Sequence, residues 1–194
     1  MVQILDVGCG DRPKGTINLD LCKGESEDLQ GYRGKVNPKN TPNFVQGSIY
    51  FLPFKDEAVD IVLCHHTVEH LDNPEEAIKE LLRVSRNYVE IVVPFRYHEI
   101  IQNWFWPTRK RWMKKHHKWN FDKRMLRNLF NSFKGNLQIK YRYKVIPVAQ
   151  HPEHYHLSFR QLLLYGFLDT VFPPTPSELV VTARKRKKKP ITRA

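Results

Sequence analysis

One stretch of the sequence restricts the fold more than any other, because it predicts two buried strands joined by a helix. Val59 to Cys64 and Tyr88 to Val93 are nearly continuous in apolar residues, as strands buried on both faces are. Between them, Asn73 can cap a helix that has proline at its first position and ends near Arg86. A strand, a helix and a strand in this order form a crossover of a parallel sheet. The apolar residues of the predicted helix fall on one stripe: Ala77, Ile78, Leu81 and Leu82.

Further strands and one further helix extend this pattern. Leu137 to Val145 alternates strictly between apolar and polar residues, which predicts a half-exposed strand, antiparallel and near a sheet edge. Asn120 can cap a second helix, which Gly135 would end. The alternation of strands and helices predicts an α/β protein with a Rossmann-like, doubly wound, mostly parallel sheet. Shorter apolar runs predict the remaining strands: Val2 to Val7, Thr16 to Leu21, Asn43 to Gln46 and Leu179 to Ala183.

The length and the charge distribution predict one domain followed by a tail. A chain of 194 residues is long enough for one hydrophobic core and short for two. We predict a single domain over residues 1–183, with substrate-side insertions at about 95–120 and 147–177. Residues 184–194 hold seven Lys and Arg residues and no acidic one, which accounts for more than half of the net charge of +12. We expect this stretch to be a basic, disordered tail.

Cysteine content and hydropathy indicate where the protein works. Three scattered cysteines are too few for a disulfide framework, so a reducing compartment fits best. The longest apolar run, at about residues 162–168, is too short to span a bilayer. We therefore expect a cytoplasmic protein that does not associate with a membrane.

The first strand runs into a glycine turn that is flanked by two carboxylates. Asp6 precedes the turn, and Asp20 ends the second strand, where a carboxylate can accept both hydroxyls of a ribose. Pro13 stands where a dinucleotide-binding turn would have its third glycine, and a GxxxxGK[ST] loop is absent, so NAD, FAD and nucleoside triphosphates are unlikely ligands. An acidic surround suits a nucleoside that carries a cation, such as S-adenosylmethionine. Residues 10–16 are too few for a crossover helix, so we expect a turn there.

Several motifs in one order resemble a known family. "LDVGCG", "INLDL" and "GSIYFLPFKDEAVDIVLCHHTVEHLDNPEEAIKELLRVSRNYVEIVVP" are similar to the small class I S-adenosylmethionine-dependent methyltransferases of the type-11, ubiquinone-biosynthesis-like group. The resemblance covers roughly residues 2–94 and implies a seven-stranded sheet with an antiparallel edge strand. Members usually carry Asp where Ser48 stands, so the adenine amino group would need a hydroxyl or a backbone partner here. The resemblance assigns cofactor contacts to Asp6, Gly8, Cys9, Gly10, Asp20, Leu21, Ser48, Ile49 and Cys64.

The resemblance also brings two histidines to the place where cofactor and acceptor meet. Methyl transfer needs in-line positioning of a nucleophile and, for some acceptors, a base. His65 and His66 are the predicted catalytic residues, as base or as positioning groups, and packing in the cofactor pocket is the alternative. His66 to His70 spells HxxEH, a zinc-protease pattern, but it follows a buried strand instead of lying within a helix. We predict no metal site, although His116 and His117, and the histidines of "HPEHYH", are close enough in sequence to share an ion.

Substrate choice is predicted to depend on the first insertion. Residues 100–121 contain no acidic residue and interleave basic side chains with all four tryptophans. Such interleaving suits single-stranded or looped RNA, because cations neutralise phosphates while aromatic rings stack on bases. We therefore predict an RNA methyltransferase; the alternatives are a small-molecule or protein methyltransferase with a basic lid, and a non-catalytic nucleic-acid-binding module. The predicted contacts are Trp104, Trp106, Arg109, Lys110, Arg111, Trp112, Lys114 and Lys115.

Overall fold

The computed structural model describes residues 1–21, 36–96, 117–133, 137–145, 167 and 177–186. The strands are β1 (Ile4–Val7), β2 (Ile17–Asp20), β3 (Phe44–Gln46), β4 (Val59–His65), β5 (Ser85–Pro94), β6 (Leu137–Lys144) and β7 (Glu178–Lys185). Among the described residues, helices α1 (Pro74–Val84) and α2 (Lys123–Asn131) and a 3₁₀ turn, η1 (Val68–His70), pack around them. Within the described ranges, no helix combines the length and the apolar character needed to cross a membrane.

All seven strands form one sheet in the order β3-β2-β1-β4-β5-β7-β6. Strands β1 to β5 pair in parallel, whereas β7 is antiparallel to both β5 and β6. This confirms the predicted mostly parallel sheet and the antiparallel strand at its edge. This edge strand is β6, in which half-buried Ile139 and Tyr141 alternate with exposed residues after the buried Leu137.

One face of the sheet carries the hydrophobic core. A row of paired residues crosses five strands on this face, from Leu5 through Val62, Val89 and Ala183 to Ile139. Neighbours in such a row point to the same side of a sheet. The row belongs to the same apolar cluster as the buried residues of α1 and α2, among them Ile78, Leu81, Leu126 and Phe130. We call this the apolar face.

The first helix forms as predicted, although it ends earlier. The Asn73 side chain accepts a hydrogen bond from the Glu76 amide at 3.3 Å, which satisfies one of the free amides of the first turn. The helix ends at Val84 instead of near Arg86, because β5 begins directly at Ser85. Ser85 is buried, and its hydroxyl donates to the Tyr88 carbonyl at 2.9 Å, which explains the early start of the strand.

The cap of the second helix differs from the prediction. Asp122, and not Asn120, accepts a hydrogen bond from the Met125 amide at 2.8 Å, and α2 begins at Lys123. Asn and Asp are about equally good caps, so the choice depends on tertiary packing. Phe121 is fully buried immediately before the cap and fixes where the helix starts. The predicted C-terminal residue, Gly135, lies outside the described residues.

The last strand is longer than predicted. Strand β7 continues to Lys185, two residues past its predicted end at Ala183 and into the predicted tail. The Arg184 guanidinium lies 5.7 Å from the centre of the Tyr88 ring, and Lys185 Nζ lies 3.1 Å from Glu57 Oε1. These two cations therefore belong to the sheet, and the part of the tail from residue 187 onward lies outside the described residues.

The connection from β1 to β2 is a turn without a helix, as the short spacing predicts. Its last part lies directly against the strands, because a Cβ placed on Gly15 would be 2.3 Å from the Ile17 carbonyl oxygen and 2.8 Å from the Asp6 amide nitrogen. Two buried side chains hold it there: an Asp6 carboxylate oxygen accepts from the Lys14 amide at 2.8 Å, and the Asn18 amide oxygen accepts from the Gly15 amide at 2.9 Å. A close strap thus takes the place of the usual crossover helix.

Candidate active site

The glycine turn after β1 uses its two glycines differently. Gly8 and Gly10 have φ angles of 73° and 55°, in the left-handed region that favours glycine. A Cβ on Gly8 would lie 2.2 Å from Thr67 Oγ1, so the turn packs tightly against the segment after β4. A Cβ on Gly10 would meet nothing within 4 Å. Gly8 is therefore needed for packing, and Gly10 faces open space where a ligand fits.

Two carboxylates flank this space. An Asp20 carboxylate oxygen accepts from the Gly10 amide at 3.0 Å and ties the end of β2 to the turn. Asp6 is only 3% exposed, and burial raises the pKa of Asp6 despite the hydrogen bond from Lys14 and the charges of His65 and Lys14. Open backbone beside two carboxylates suits a cationic nucleoside, so the residues present fit S-adenosylmethionine.

The predicted adenine-flanking pair lies beside the same space. The Gly47 amide donates to the Asp20 carbonyl at 3.0 Å, which brings the segment after β3 to the end of β2. Ser48 and Phe51 pair in an isolated antiparallel β-bridge. The Ser48 hydroxyl oxygen also accepts a hydrogen bond from the Tyr50 amide at 3.3 Å. The ends of β1, β2 and β3 thus bring together the predicted cofactor contacts of this edge: Asp6, Gly8, Cys9, Gly10, Asp20, Leu21, Ser48 and Ile49.

The two cysteines among the predicted contacts are buried thiols. Burial, with the nearby Asp20 carboxylate, raises the pKa of Cys9 to about 12. Burial raises the pKa of Cys64 as well, and Cys64 is fully enclosed in the apolar core. A thiol with a raised pKa is a poor nucleophile. The side chain of Cys64 therefore packs in the core.

The two predicted catalytic histidines have different surroundings. His65 Nδ1 lies 2.8 Å from Lys14 Nζ, and its Nε2 lies 3.2 Å from Glu90 Oε1. An ammonium group only donates, so Nδ1 must accept and the ring proton sits on Nε2, facing Glu90. The lone pair on His65 Nδ1 thus accepts the hydrogen bond from Lys14 and is not available to take up another proton. This arrangement favours a positioning role over a role as base.

His66 begins the segment after β4 with a φ of 52°, a left-handed conformation that is uncommon outside glycine. Its Nε2 lies 2.9 Å from Glu178 Oε1, and its Nδ1 lies 3.7 Å from Glu69 Oε1. Burial disfavours the charged ring, but the hydrogen bond to Glu178 and the negative charge of the nearby Glu69 outweigh it and raise the pKa of His66 to about 9. A ring that is charged at neutral pH has no lone pair to accept a proton, so His66 can donate but cannot act as a base.

Glu178 holds the centre of this arrangement. It is almost fully buried and bonds to His66 Nε2 and to Lys144 Nζ, both at 2.9 Å. Burial favours the neutral acid, but the bonds and charges of His66 and Lys144 lower the pKa of Glu178 to about 2. Sequence reasoning missed this residue, because a glutamate at the start of an apolar strand carries no signal of its own.

A cavity of about 170 Å³ opens on the side of the sheet opposite to the core. Its position follows from a second row of paired residues, from His65 through Val92 and Val180 to Arg142. We call the side that this row faces the polar face. The cavity is lined by Lys14, His65, His66, Glu90, Val92, Arg142, Lys144, Glu178 and Val180.

The predicted RNA-contacting residues lie outside the described part of the chain, which resumes at His117. The end of that segment is fixed beside η1, because the Lys118 and Trp119 amides donate to the Glu69 carbonyl at 2.9 and 3.1 Å. The Trp119 indole also donates to the Leu71 carbonyl at 2.8 Å. The residues concerned are Trp104, Trp106, Arg109, Lys110, Arg111, Trp112, Lys114 and Lys115.

Comparison with known proteins agrees with this geometry. Residues 5–93 match a family model described as a methyltransferase domain of type 11. This part of the chain is therefore similar to the methyltransferase domains of that family. This confirms the resemblance stated from the sequence, and with it S-adenosylmethionine as the cofactor of the domain.

The relatives differ in what their names say. An uncharacterized methyltransferase of Schizosaccharomyces pombe is 38% identical over 103 residues, which are 43% of this chain and 36% of that protein. The ajmaline N-methyltransferase of Rauvolfia serpentina is 31% identical over 107 residues, 49% of this chain and 36% of that one. The methyltransferase domain thus matches only about a third of the length of these curated relatives.

Solved structures show the same fold at low identity. A SAM-dependent methyltransferase of Thermotoga maritima, described as a possible histamine N-methyltransferase, gives a TM-score of 0.65 at 18% identity and covers 96% of this chain and 83% of its own. The plantazolicin methyltransferase BpumL, solved with S-adenosylhomocysteine (SAH), gives a TM-score of 0.60 at 17% identity. The match covers 96% of this chain and 77% of that protein.

Proposed function

We propose that this chain transfers the methyl group of S-adenosylmethionine to a nucleophile on RNA. The cofactor supplies an electrophilic methyl on a sulfonium. The methyltransferase domain and the open glycine turn beside Asp20 support the first half of the proposal. A line of exposed basic side chains on the polar face supports the second half.

The residues of the turn have separate roles toward the cofactor. Asp20 would accept hydrogen bonds from the ribose hydroxyls, and the backbone at Gly10 would let the ligand approach closely. Ser48 and Ile49 would contact the adenine from the neighbouring strand end. The Asp6 carboxylate holds the strap through the Lys14 amide and contributes negative charge near the methionine ammonium group.

The acceptor enters from the cavity on the polar face. The His65 ring is held by Lys14 and lies beside Glu90, and His66 presents a charged ring held by Glu178. Both rings are fixed by neighbouring side chains and can help to orient an acceptor, which is the main requirement for an in-line transfer. A nucleophile that needs no deprotonation before attack, such as a ring nitrogen with a lone pair, fits this arrangement best.

The observation that carries RNA is the basic stripe of β6. Lys140, Arg142 and Lys144 alternate along this strand on the polar face, and all three are exposed. Arg184 of β7, also exposed, lies on the same face. Lysine and arginine bind phosphates, so the stripe offers a path for a polyanion that leads into the cavity.

RNA binding tests the stripe directly. Reversing two charges in Lys140→Glu with Arg142→Glu should weaken binding of single-stranded RNA at least about tenfold and flatten its dependence on salt. The matched control reverses two exposed charges of α2, in Arg124→Glu with Arg127→Glu, because that helix packs on the apolar face. Equal losses in both pairs, or binding that does not respond to salt, would remove the support for RNA.

A small-molecule acceptor is the second candidate. The cavity is small, and it contains the carboxylates of Glu90 and Glu178, which could hold an amine. The ajmaline relative is named for a small substrate. If the protein methylates a small molecule, and the variant Lys140→Glu with Arg142→Glu does so at the wild-type rate, the small-molecule function is favoured over RNA.

A further inference from the structure

We propose that Glu69, His70 and His117 form a binding site for one divalent transition-metal ion. One ligand atom from each of the three side chains lies within 4.8 Å of the other two. The proposal does not depend on methyl transfer. It differs from the prediction from sequence, which gives no metal site.

The first support is an unpartnered buried carboxylate. Glu69 is only 1% exposed, and among the described residues neither of its carboxylate oxygens has a hydrogen-bond partner. The nearest ring nitrogen of His66 is 3.7 Å away, beyond hydrogen-bond distance. The charge of His66 offsets part of the cost of burying this carboxylate, but its two oxygens still have no hydrogen-bond donor, and a bound ion would supply the missing partner.

The second support is the way tertiary structure holds the two imidazoles. His70 ends η1, and its amide donates to the Thr67 carbonyl at 3.1 Å. His117 comes from a distant segment, which the amides of Lys118 and Trp119 tie to the Glu69 carbonyl. The two rings meet edge to face with centroids 4.9 Å apart. Backbone contacts, and not chance surface proximity, therefore bring the three ligands together.

The ligand set indicates the class of metal. Two imidazoles with one carboxylate suit zinc, iron, cobalt or manganese, whereas calcium and magnesium prefer oxygen ligands throughout. Bonds of about 2.1 Å in a tetrahedral site place neighbouring ligand atoms about 3.4 Å apart. Side-chain rotations that shorten the present separations by about 1 Å therefore complete the site. Three protein ligands leave a coordination position open.

The HxxEH pattern contributes only its last two residues. His66 Nε2 is bound to Glu178, and the pattern lies in a 3₁₀ turn instead of a long helix. In the described residues 66–70, the two histidines of the pattern are thus not placed on one turn of an α-helix, as the zinc-protease pattern requires. Thr67 packs against Gly8, so the proposed site lies next to the glycine turn.

The test is metal binding by the full chain without a purification tag. After treatment with a chelator, the protein is titrated with Co²⁺, followed by its absorption in the visible range, and with Zn²⁺ in a calorimeter. We expect one ion per chain with nitrogen and oxygen ligands. Glu69→Gln and His117→Ala should each weaken binding at least about 100-fold, because each removes a ligand. His65→Ala removes an imidazole from the polar face and should bind like the wild type.

Folding is checked separately, so that a collapsed variant does not count as support. Without metal, Glu69→Gln should still unfold in one cooperative thermal transition, because glutamine keeps the shape of the side chain and no hydrogen bond of the carboxylate is lost. With Zn²⁺, the wild type should gain thermal stability and Glu69→Gln should not. No bound ion in the wild type would overturn the proposal. So would wild-type affinity in folded Glu69→Gln and His117→Ala, which would place the ion elsewhere, for example on the histidines of "HPEHYH".

Discussion

At the scale of single residues, the site depends on backbone positions that a sequence only partly marks. The "GCG" turn identifies Gly8 and Gly10 as a pair, yet only the structure separates their roles. Thr67 explains Gly8, and no sequence pattern relates a threonine to a glycine 59 positions earlier in the chain. Asp20, in contrast, could be predicted, because a carboxylate at the end of the second strand has a fixed place in such folds.

The two glycines should therefore respond differently to the same substitution. Gly8→Ala adds a Cβ 2.2 Å from Thr67 Oγ1 at a φ of 73°, so we expect it to reduce the free energy of unfolding by about 2–4 kcal/mol. Gly10→Ala adds only backbone strain, of about 1 kcal/mol, but weakens cofactor binding. Urea unfolding and calorimetry with S-adenosylhomocysteine measure the two effects. Equal stability of the two variants would contradict the assigned roles.

Glu178 makes stability depend on pH on the acid side. Its folded pKa of about 2 lies below the ordinary 4.5, so its contribution is present above pH 4.5 and is lost as the pH falls towards 2. Glu178→Gln should cost roughly 2–3 kcal/mol at pH 6, and the difference from the wild type should shrink below pH 4.5. Glu57→Gln, which removes an exposed partner of Lys185, serves as control and should change little at any pH. A loss in Glu178→Gln that is constant from pH 6 to pH 3 would refute the ionic explanation.

At the scale of elements, local signals locate helices and strands, while packing fixes their ends. The Asn73 cap and the apolar stripe that follows it suffice for α1. The cap of α2 moves to Asp122 because Phe121 is buried beside it, and this burial cannot be deduced from local sequence. Strand β7 continues to Lys185 for the same reason, since pairing with β6 and β5 outweighs the charge of the residues.

The strap between β1 and β2 gives the sharpest prediction at this scale. Gly15→Ala places a Cβ 2.3 Å from the Ile17 carbonyl oxygen and 2.8 Å from two further backbone atoms, none of which can move aside. We expect a loss of at least about 3 kcal/mol or failure to fold. Gly47→Ala is the matched control, because its Cβ would meet only side-chain atoms, of Leu19 at 3.2 Å and of Pro53 at 3.6 Å. Thermal unfolding compares them, and a Gly15→Ala protein as stable as Gly47→Ala would contradict the tight strap.

At the scale of the whole molecule, the hydrophobic core and the candidate active-site cavity lie on opposite faces of the sheet. The apolar face packs on α1 and α2, and the polar face collects the histidines, carboxylates and basic residues of the cavity. The sequence predicts the fold and the cofactor edge, because those residues are close in sequence to strand ends. It does not predict that Arg142 lies in line with His65, because that needs the register of four strands.

The central claim is that this chain methylates RNA, and transfer of label tests it most directly. The protein is incubated with methyl-tritiated S-adenosylmethionine and separate RNA, protein and small-molecule fractions of a cell extract, beside Asp20→Ala and the control Asp56→Ala, which removes an exposed carboxylate. We predict label in RNA with the wild type and Asp56→Ala, and at least about a tenfold loss with Asp20→Ala, which lacks the carboxylate proposed to bind the ribose. Label only in another fraction, or no label with any of the three proteins, would contradict the claim.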